Sequence, residues 1–162
     1  MHSVESSHTS RSRSLQDTPE ASGAAQDSAR VSPAAPLMPI ILIIEDEPTV
    51  ARALKRLLMC EGYQVEVTSD GQEALIACER QEYAQILCDL RMPILDGQGF
   101  YQALSRCWPQ LCGRVIFMTG DPLTPTLQAF LAHMRVPVLH KPFTPECLIA
   151  LFAERCPSGR PT

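Results

Sequence analysis

The sequence predicts an α/β domain built on a five-stranded parallel sheet with helices on both faces, and three observations carry that prediction. Five short apolar runs of strand length recur after residue 39, each followed by a stretch with apolar residues at helical spacing. Most of these strand runs are apolar at successive positions, as strands covered on both faces are. The regular alternation of strand and helix is that of βα units, whose crossover helices go with parallel neighbours.

The elements run in order along the chain. Ile40–Ile44 is a continuous apolar run, and Pro48–Cys60 then places Val50, Leu54, Leu57 and Leu58 on one helical face. Gln64–Thr68 alternates Val65 and Val67 as a strand does. Residues 70–79 read as a helix with Ala74, Leu75 and Cys78 inward; residues 84–88 form the third strand, and Gly97–Cys107 a helix carrying Phe100, Tyr101 and Leu104. Residues 114–118 give the fourth strand. Thr124 followed by Pro125 supplies an N-cap and a first-turn proline, opening a helix through Leu127, Phe130, Leu131 and Met134. Residues 136–139 form a short fifth strand. Thr144 and Pro145 repeat the cap-and-proline signal before Leu148, Leu151 and Phe152.

Residues 1–37 differ in kind. They are rich in Ser, Ala and Thr, nearly lack large apolar side chains and have no periodicity, so they are expected to form a disordered tail. The domain is expected over residues 38–156, with a short tail at 157–162; Met38, just before the first strand, is a place where such a domain could begin. Composition sets further bounds. The 162 residues suffice for one ordinary core, and a net charge of −4 gives no basic footprint for nucleic acid. The seven cysteines form no C-x-x-C pair and sit mostly in apolar stretches, which suits reduced thiols in a cytoplasmic protein. No apolar run approaches the about 20 residues that cross a bilayer, and no signal-peptide pattern opens the chain.

In open parallel sheets the functional groups lie at the carboxyl ends of the strands. Glu45 and Asp46 follow the first strand, Asp89 the third and Thr119 the fourth, and Lys141 comes just after the fifth. Each has a plain structural role open to it: an acid favouring a helix N-terminus, a turn residue, a solvated lysine. Their coincidence at four separate strand ends points to phosphoryl transfer. Crowded carboxylates call for a hard divalent cation such as Mg²⁺. Asp89 is then the candidate nucleophile, forming an aspartyl phosphate, while Lys141 and Thr119 meet the phosphoryl oxygens. A carboxylate is already ionised at neutral pH, so no base is needed.

The segments 41–48 (ILIIEDEP), 86–97 (ILCDLRMPILDG), 115–121 (VIFMTGD) and 139–143 (LHKPF) resemble the four signature segments of the response-regulator receiver family of two-component systems, the CheY-like superfamily. Asp70, Gly71, Ala74 and Leu75 also resemble that family's second helix, and the likeness spans residues 39–155. The resemblance implies a flavodoxin-like sheet of order 2-1-3-4-5. It implies that Asp89 accepts phosphate from a phosphohistidine on a histidine kinase or phosphotransfer protein, with catalysis limited to the chain's own phosphorylation and dephosphorylation. Asp46, Asp89 and the Arg91 carbonyl would ligate Mg²⁺, Glu45 would act mainly through water, and Thr119 and Lys141 would hold the phosphoryl group. The Lys141–Pro142 bond would be cis. Gly120 matches the small residue that leaves phosphate access.

Two positions depart or stand out. Val138 occupies the place of the family's usual switching aromatic, so switching is expected through backbone shifts at Thr119 and the following helix. The stretch around it has a weaker likeness to receivers of hybrid sensor kinases. Arg91 and Asp121 are expected to pair across the site mouth and slow hydrolysis. Only seven residues follow Arg155, so a stand-alone receiver acting through an unknown downstream protein is expected, using the face of the fourth helix, fifth strand and fifth helix. The kinase is expected around the first helix and the Pro142 loop. Two alternatives share the fold: a phosphorylation-independent binding module and a receiver segment of a hybrid kinase. An aspartyl-phosphate hydrolase of the haloacid-dehalogenase kind would want a second Asp where Arg91 stands. A flavodoxin-like cofactor binder would want a Gly-rich loop after the first strand.

Overall fold

The computed structural model describes residues 38–155; the two tails and Cys156 lie outside the described residues. Five strands, β1 (Ile40–Ile44), β2 (Gln64–Thr68), β3 (Gln85–Asp89), β4 (Val115–Thr119) and β5 (Val138–His140), form one sheet of order β2-β1-β3-β4-β5. All four pairings are parallel. Five helices connect and extend them: α1 (Pro48–Cys60), α2 (Gly71–Arg80), α3 (Gly97–Cys107), α4 (Pro125–Met134) and α5 (Pro145–Arg155). The fold class and strand order are those expected.

Alternation along the central strands builds two cores. Leu42, Ile44, Ile86 and Cys88 face one side, where Ala74 and Cys78 of α2, Phe100 and Leu104 of α3 and Leu131 of α4 cover them. Ile41, Ile43, Leu87 and Met118 face the other, under Leu54 and Leu58 of α1 and Leu148 and Phe152 of α5. β1, β3 and β4 are thus buried on both faces, which is why their central residues read as apolar runs, with the polar Gln85, Asp89 and Thr119 only at strand ends. The edge strand β2 is largely half-exposed and keeps its alternation.

The caps fall where the sequence places polar residues. Asp70 accepts from the N–H groups of Gln72 at 2.7 Å and Glu73 at 3.0 Å, and Asp96 accepts from Gly99 at 2.7 Å. Thr124 and Thr144 cap α4 and α5 at 3.3 and 3.4 Å, as expected from the Thr-Pro pairs. Three local differences from the sequence reading have physical causes. Asp89 and Thr119 are the last residues of their strands rather than the next residues, because parallel pairing continues to them. A 3₁₀ turn at Pro109–Arg114, unmarked by any cap signal, precedes β4. β5 begins at Val138, two residues late, since Pro137 has no N–H for the ladder; its carbonyl still accepts from Phe117 at 2.9 Å. The Lys141–Pro142 bond is cis, as expected.

Candidate functional site

The carboxyl edge of the sheet opens into a cleft of about 560 Å³ lined by Glu45, Asp46, Asp89, Arg91, Thr119 and Lys141, with Glu47, Pro48, Gly120 and Asp121 completing it. The six candidate phosphoryl and metal residues Glu45, Asp46, Asp89, Arg91, Thr119 and Lys141 therefore reach one place. Parallel pairing brings this about: β1, β3, β4 and β5 end side by side, so the residues at and just past their carboxyl ends share a rim.

Backbone ties fix the rim. Lys141 N–H donates to the Thr119 carbonyl at 2.7 Å, and Leu90 N–H to the Met118 carbonyl at 2.9 Å, joining the ends of neighbouring strands. The Lys141 ammonium then lies 2.7 Å from Glu45 Oε2 and 2.5 Å from Asp89 Oδ2. Arg91 N–H donates to the other oxygen of Asp89, Oδ1, at 2.8 Å. Asp89 is thus gripped on both oxygens and is only 8% exposed, yet it opens on the cleft. Thr119 points its hydroxyl at Asp121, accepting from that residue's N–H at 3.3 Å and donating to its carbonyl at 3.2 Å. Arg91 Nε meets Asp121 Oδ2 at 3.0 Å, with both side chains more than half exposed.

Burial pushes the Glu45 carboxyl above its ordinary range, and the Asp89 charge adds to that; Lys141 pulls it back without cancelling the rise. For Lys141 burial acts downward, and the hydrogen bonds and charges of Asp89 and Glu45 together outweigh it, holding the ammonium above its ordinary value. The lysine is the internal counter-charge of this cluster. Glu45, expected to act through water, is buried and bound directly to Lys141 and to the Glu47 N–H at 3.3 Å.

The lining carries five carboxylates, those of Glu45, Asp46, Glu47, Asp89 and Asp121, against the two cations Arg91 and Lys141. A phosphoryl group entering so acidic a cleft needs further positive charge. The donors on offer are oxygens, which suits Mg²⁺, an ion that keeps several waters and takes one or two carboxylates. Among the described residues no three acidic, cysteine or histidine side chains form a metal cage of their own. The donor set therefore fits a largely hydrated hard cation, with Asp46 exposed at the cleft and Asp89 beside it.

Gly97, which lies outside the strand ends, is a further positioning residue. A Cβ on Gly97 would lie 2.5 Å from the Asp89 carbonyl oxygen and 3.0 Å from Leu90 Cα, so the first turn of α3 packs directly on the backbone of Asp89. The Asp96-Gly97 pair, a cap followed by a residue without a side chain, is the signal that could have revealed it.

Comparison with known proteins agrees with this geometry. The model of the response regulator receiver domain family matches residues 41–153. The chain is 33% identical over 105 residues to the tetrathionate response regulatory protein TtrR of Salmonella typhimurium, covering 65% of this chain and 50% of that protein. It is 31% identical over 107 residues to the transcription factor SKN7 of Saccharomyces cerevisiae, covering 64% of this chain and 16% of that protein. The chain thus spans half or less of the length of these curated relatives. Among solved structures it is similar to the receiver domain of the sensor histidine kinase PA1611 of Pseudomonas aeruginosa, which has a magnesium ion coordinated in its active-site cleft. That likeness has a TM-score of 0.66 at 27% identity and covers 75% of this chain and 99% of that one. The chemotaxis protein CheY4 of Vibrio cholerae gives a TM-score of 0.65 at 25% identity, covering 73% and 98%. Among the described residues no helix is long and apolar enough to cross a membrane. With its sheet order, its acidic cleft and its match over residues 41–153, the chain belongs to the response regulator receiver domain family.

Proposed function

We propose that residues 38–156 act as a phosphoacceptor in two-component signalling, with Asp89 taking the phosphoryl group from a phosphohistidine on a histidine kinase or phosphotransfer protein. In the transfer, an Asp89 carboxylate oxygen forms a bond to phosphorus as the donor's P–N bond breaks, and the freed imidazole keeps the electron pair and takes up a proton. The observation that carries this reading is the contact of Lys141 with Asp89, made by two residues 52 positions apart at the rim of an acidic cleft. Lys141 is placed to follow the charge from the Asp89 carboxylate to the phosphoryl oxygens. Thr119 supplies a hydroxyl donor once it turns from Asp121.

Asp46, Asp89 and the Arg91 carbonyl would hold Mg²⁺, with Glu45 contributing through water once Lys141 is drawn to the phosphoryl group; the ion would supply positive charge at the phosphoryl oxygens. The chain would catalyse only its own phosphorylation and dephosphorylation, working through protein partners in the cytoplasm. Val138 pairs in register with Phe117 on β4 and carries no ring, so switching would run through the backbone at Thr119 into α4.

The test incubates the full chain with Mg²⁺ and acetyl phosphate and compares it with Asp89→Asn. Wild type should gain a phosphoryl group that hydroxylamine releases, and the variant should not. Equal labelling of the two proteins rules the mechanism out.

A further inference from the structure

The first turn of α2 is completed by a residue from another part of the chain. Of the N–H groups that open this helix, those of Gln72 and Glu73 go to the Asp70 cap, and that of Gly71 goes to the Leu95 carbonyl at 3.1 Å. Leu95 lies in the loop between β3 and α3. The approach leaves no room for a side chain: a Cβ on Gly71 would stand 2.7 Å from that carbonyl oxygen and 3.0 Å from Phe100 Cβ. On the other side, a Cβ on Gly99 would stand 2.6 Å from Leu95 Cδ1. Leu95 therefore occupies a slot between two glycines, one opening α2 and one in the first turn of α3.

The loop that carries Leu95 is also the one that holds Asp89. Its base is closed by Gly97 N–H on the Leu90 carbonyl at 3.2 Å. Within it, Arg91 N–H meets Asp89 Oδ1 at 2.8 Å. Just ahead of Leu95 the chain turns tightly, with Leu95 N–H donating to the Pro93 carbonyl at 2.8 Å and Ile94 at φ 66°. This is the rarer and strained form of the γ-turn, and a β-branched residue is a poor occupant of it. Such strain persists where the surroundings over-determine the backbone. Here Gly71 fixes Leu95 on one side of the turn, and Met92, packed on the core, is fixed on the other. The turn is thus a stiff link from α2 to Arg91, although none of the residues lining the cleft belongs to α2.

We propose that Gly71 is a positioning residue for phosphoryl acceptance by Asp89: through the Leu95 carbonyl it sets where Arg91 N–H meets the carboxylate. This inference rests on the proposed function and adds α2 to the elements that serve it. Held by Lys141 at Oδ2 and by Arg91 N–H at Oδ1, the carboxylate has one orientation; with the second hold displaced, it turns about the first. Attack on phosphorus depends on that orientation.

The experiment labels the full chain with acetyl phosphate and Mg²⁺, as wild type, Gly71→Ala, Leu95→Ala and Ala77→Gly, with rates taken per folded protein. In Gly71→Ala, kcat should fall about tenfold with KM for acetyl phosphate unchanged, because the Lys141 and Thr119 side of the cleft is untouched. Leu95→Ala empties the slot and should lose at least about threefold in kcat. Ala77→Gly, a buried change within α2, should lower the urea midpoint and keep the wild-type kcat. In the metal-free protein, the Arg91 amide should exchange with solvent faster in Gly71→Ala than in wild type or Ala77→Gly. A Gly71→Ala kcat within about twofold of wild type, a loss carried by KM alone, an unchanged Arg91 amide, or an equal fall in Ala77→Gly each overturns the proposal and leaves the proposed function standing. If Gly71→Ala does not fold, Leu95→Ala decides, and a wild-type kcat there overturns it. Wild type that takes no hydroxylamine-labile label overturns the function and this role together.

Discussion

The Lys141 ammonium and the Glu45 carboxylate, 96 residues apart in the chain, stand 2.7 Å from each other at the foot of the cleft. The carboxylate side chain is 2% exposed and the lysine 22%, so the pair is one of little solvent and uneven burial. A carboxylate that deep is tolerated because a cation meets it, and the same cation bonds Asp89. The site is built as an acidic cluster around one ammonium.

Removing the ammonium should make stability depend on pH. In Lys141→Met, Glu45 keeps its burial, which already raises its pKa, and loses the lysine that lowered it. A group whose folded pKa is raised stabilises the fold below its unfolded value of 4.5 and loses that contribution as pH rises through the folded value. The variant should therefore lose about 2 kcal/mol at pH 8, less than for a fully enclosed pair because the cleft is open, and much less near pH 4.5. Urea unfolding of both proteins at the two pH values measures this. A deficit independent of pH would show that Glu45 is not the group left without a partner.

Gly97→Ala should damage both fold and site. The new Cβ would meet Asp89 and Leu90 backbone at 2.5 and 3.0 Å, and backbone in the middle of the sheet has nowhere to move. A loss of about 1–3 kcal/mol is expected, with slower labelling of Asp89 by a small donor. Gly113→Ala is the control, since its Cβ would meet nothing within 4 Å. It should change stability by less than about 0.5 kcal/mol. Equal urea midpoints for the two variants would mean that α3 yields and that Gly97 positions nothing.

β1 was legible in the sequence because burial on both faces leaves a strand no polar position, and Ile40–Ile44 reads accordingly. The meeting of Lys141 with Asp89 was legible only through topology: once five βα units imply a parallel sheet, residues after different strands must share an edge. Pairwise detail was not legible. That Glu45 binds Lys141 directly depends on side-chain reach and depth, which no spacing encodes. The start of β5 was misplaced because Val136-Pro137-Val138 is apolar throughout, and the missing proline N–H, not hydrophobicity, sets its boundary. The turn at Ile94 carried the opposite of its usual signal, a β-branched residue where glycine or asparagine is common.

The Arg91–Asp121 pair, anticipated at the site mouth, is formed at 3.0 Å with side chains 66% and 55% exposed. So exposed a pair does little for stability, and its expected effect is on water reaching the aspartyl phosphate. Arg91→Ala and Asp121→Ala should each lose the phosphoryl group faster, by up to about fivefold, the kinetic equivalent of about 1 kcal/mol. High salt should narrow the gap between wild type and variants by screening the pair. Phosphoryl half-lives at low and high salt supply the measurement, and half-lives that match wild type at low salt would remove the pair from the mechanism.

The alkaline limit of the fold should be set on the α2 side of the sheet. Burial first, and the Glu66 charge second, push the Cys78 thiol from 9.0 up to about 11. Tyr83 is fully buried and is raised by that burial and by its hydrogen bond to Glu66 at 2.5 Å. Cys88 is raised by burial and then by the Asp89 charge. Each stays neutral in the fold at a pH where the unfolded chain ionises, so stability is intact below the unfolded values and falls as pH climbs through the folded ones. For Cys78 the window runs from 9.0 to about 11, and the thiol alone is worth about 3 kcal/mol across it. Urea midpoints measured from pH 7 to pH 10.5 should be flat to about pH 9 and then drop, and the drop should be shallower in Cys78→Ala. Thiol chemistry gives an independent check at pH 8, where Cys60, Cys107 and Cys147 are exposed and should alkylate readily while Cys78 and Cys88 stay unmodified in the folded protein. Alkylation of Cys78 at the rate of Cys60 would mean that α2 packs too loosely to raise its thiol, and the predicted drop above pH 9 would fail with it.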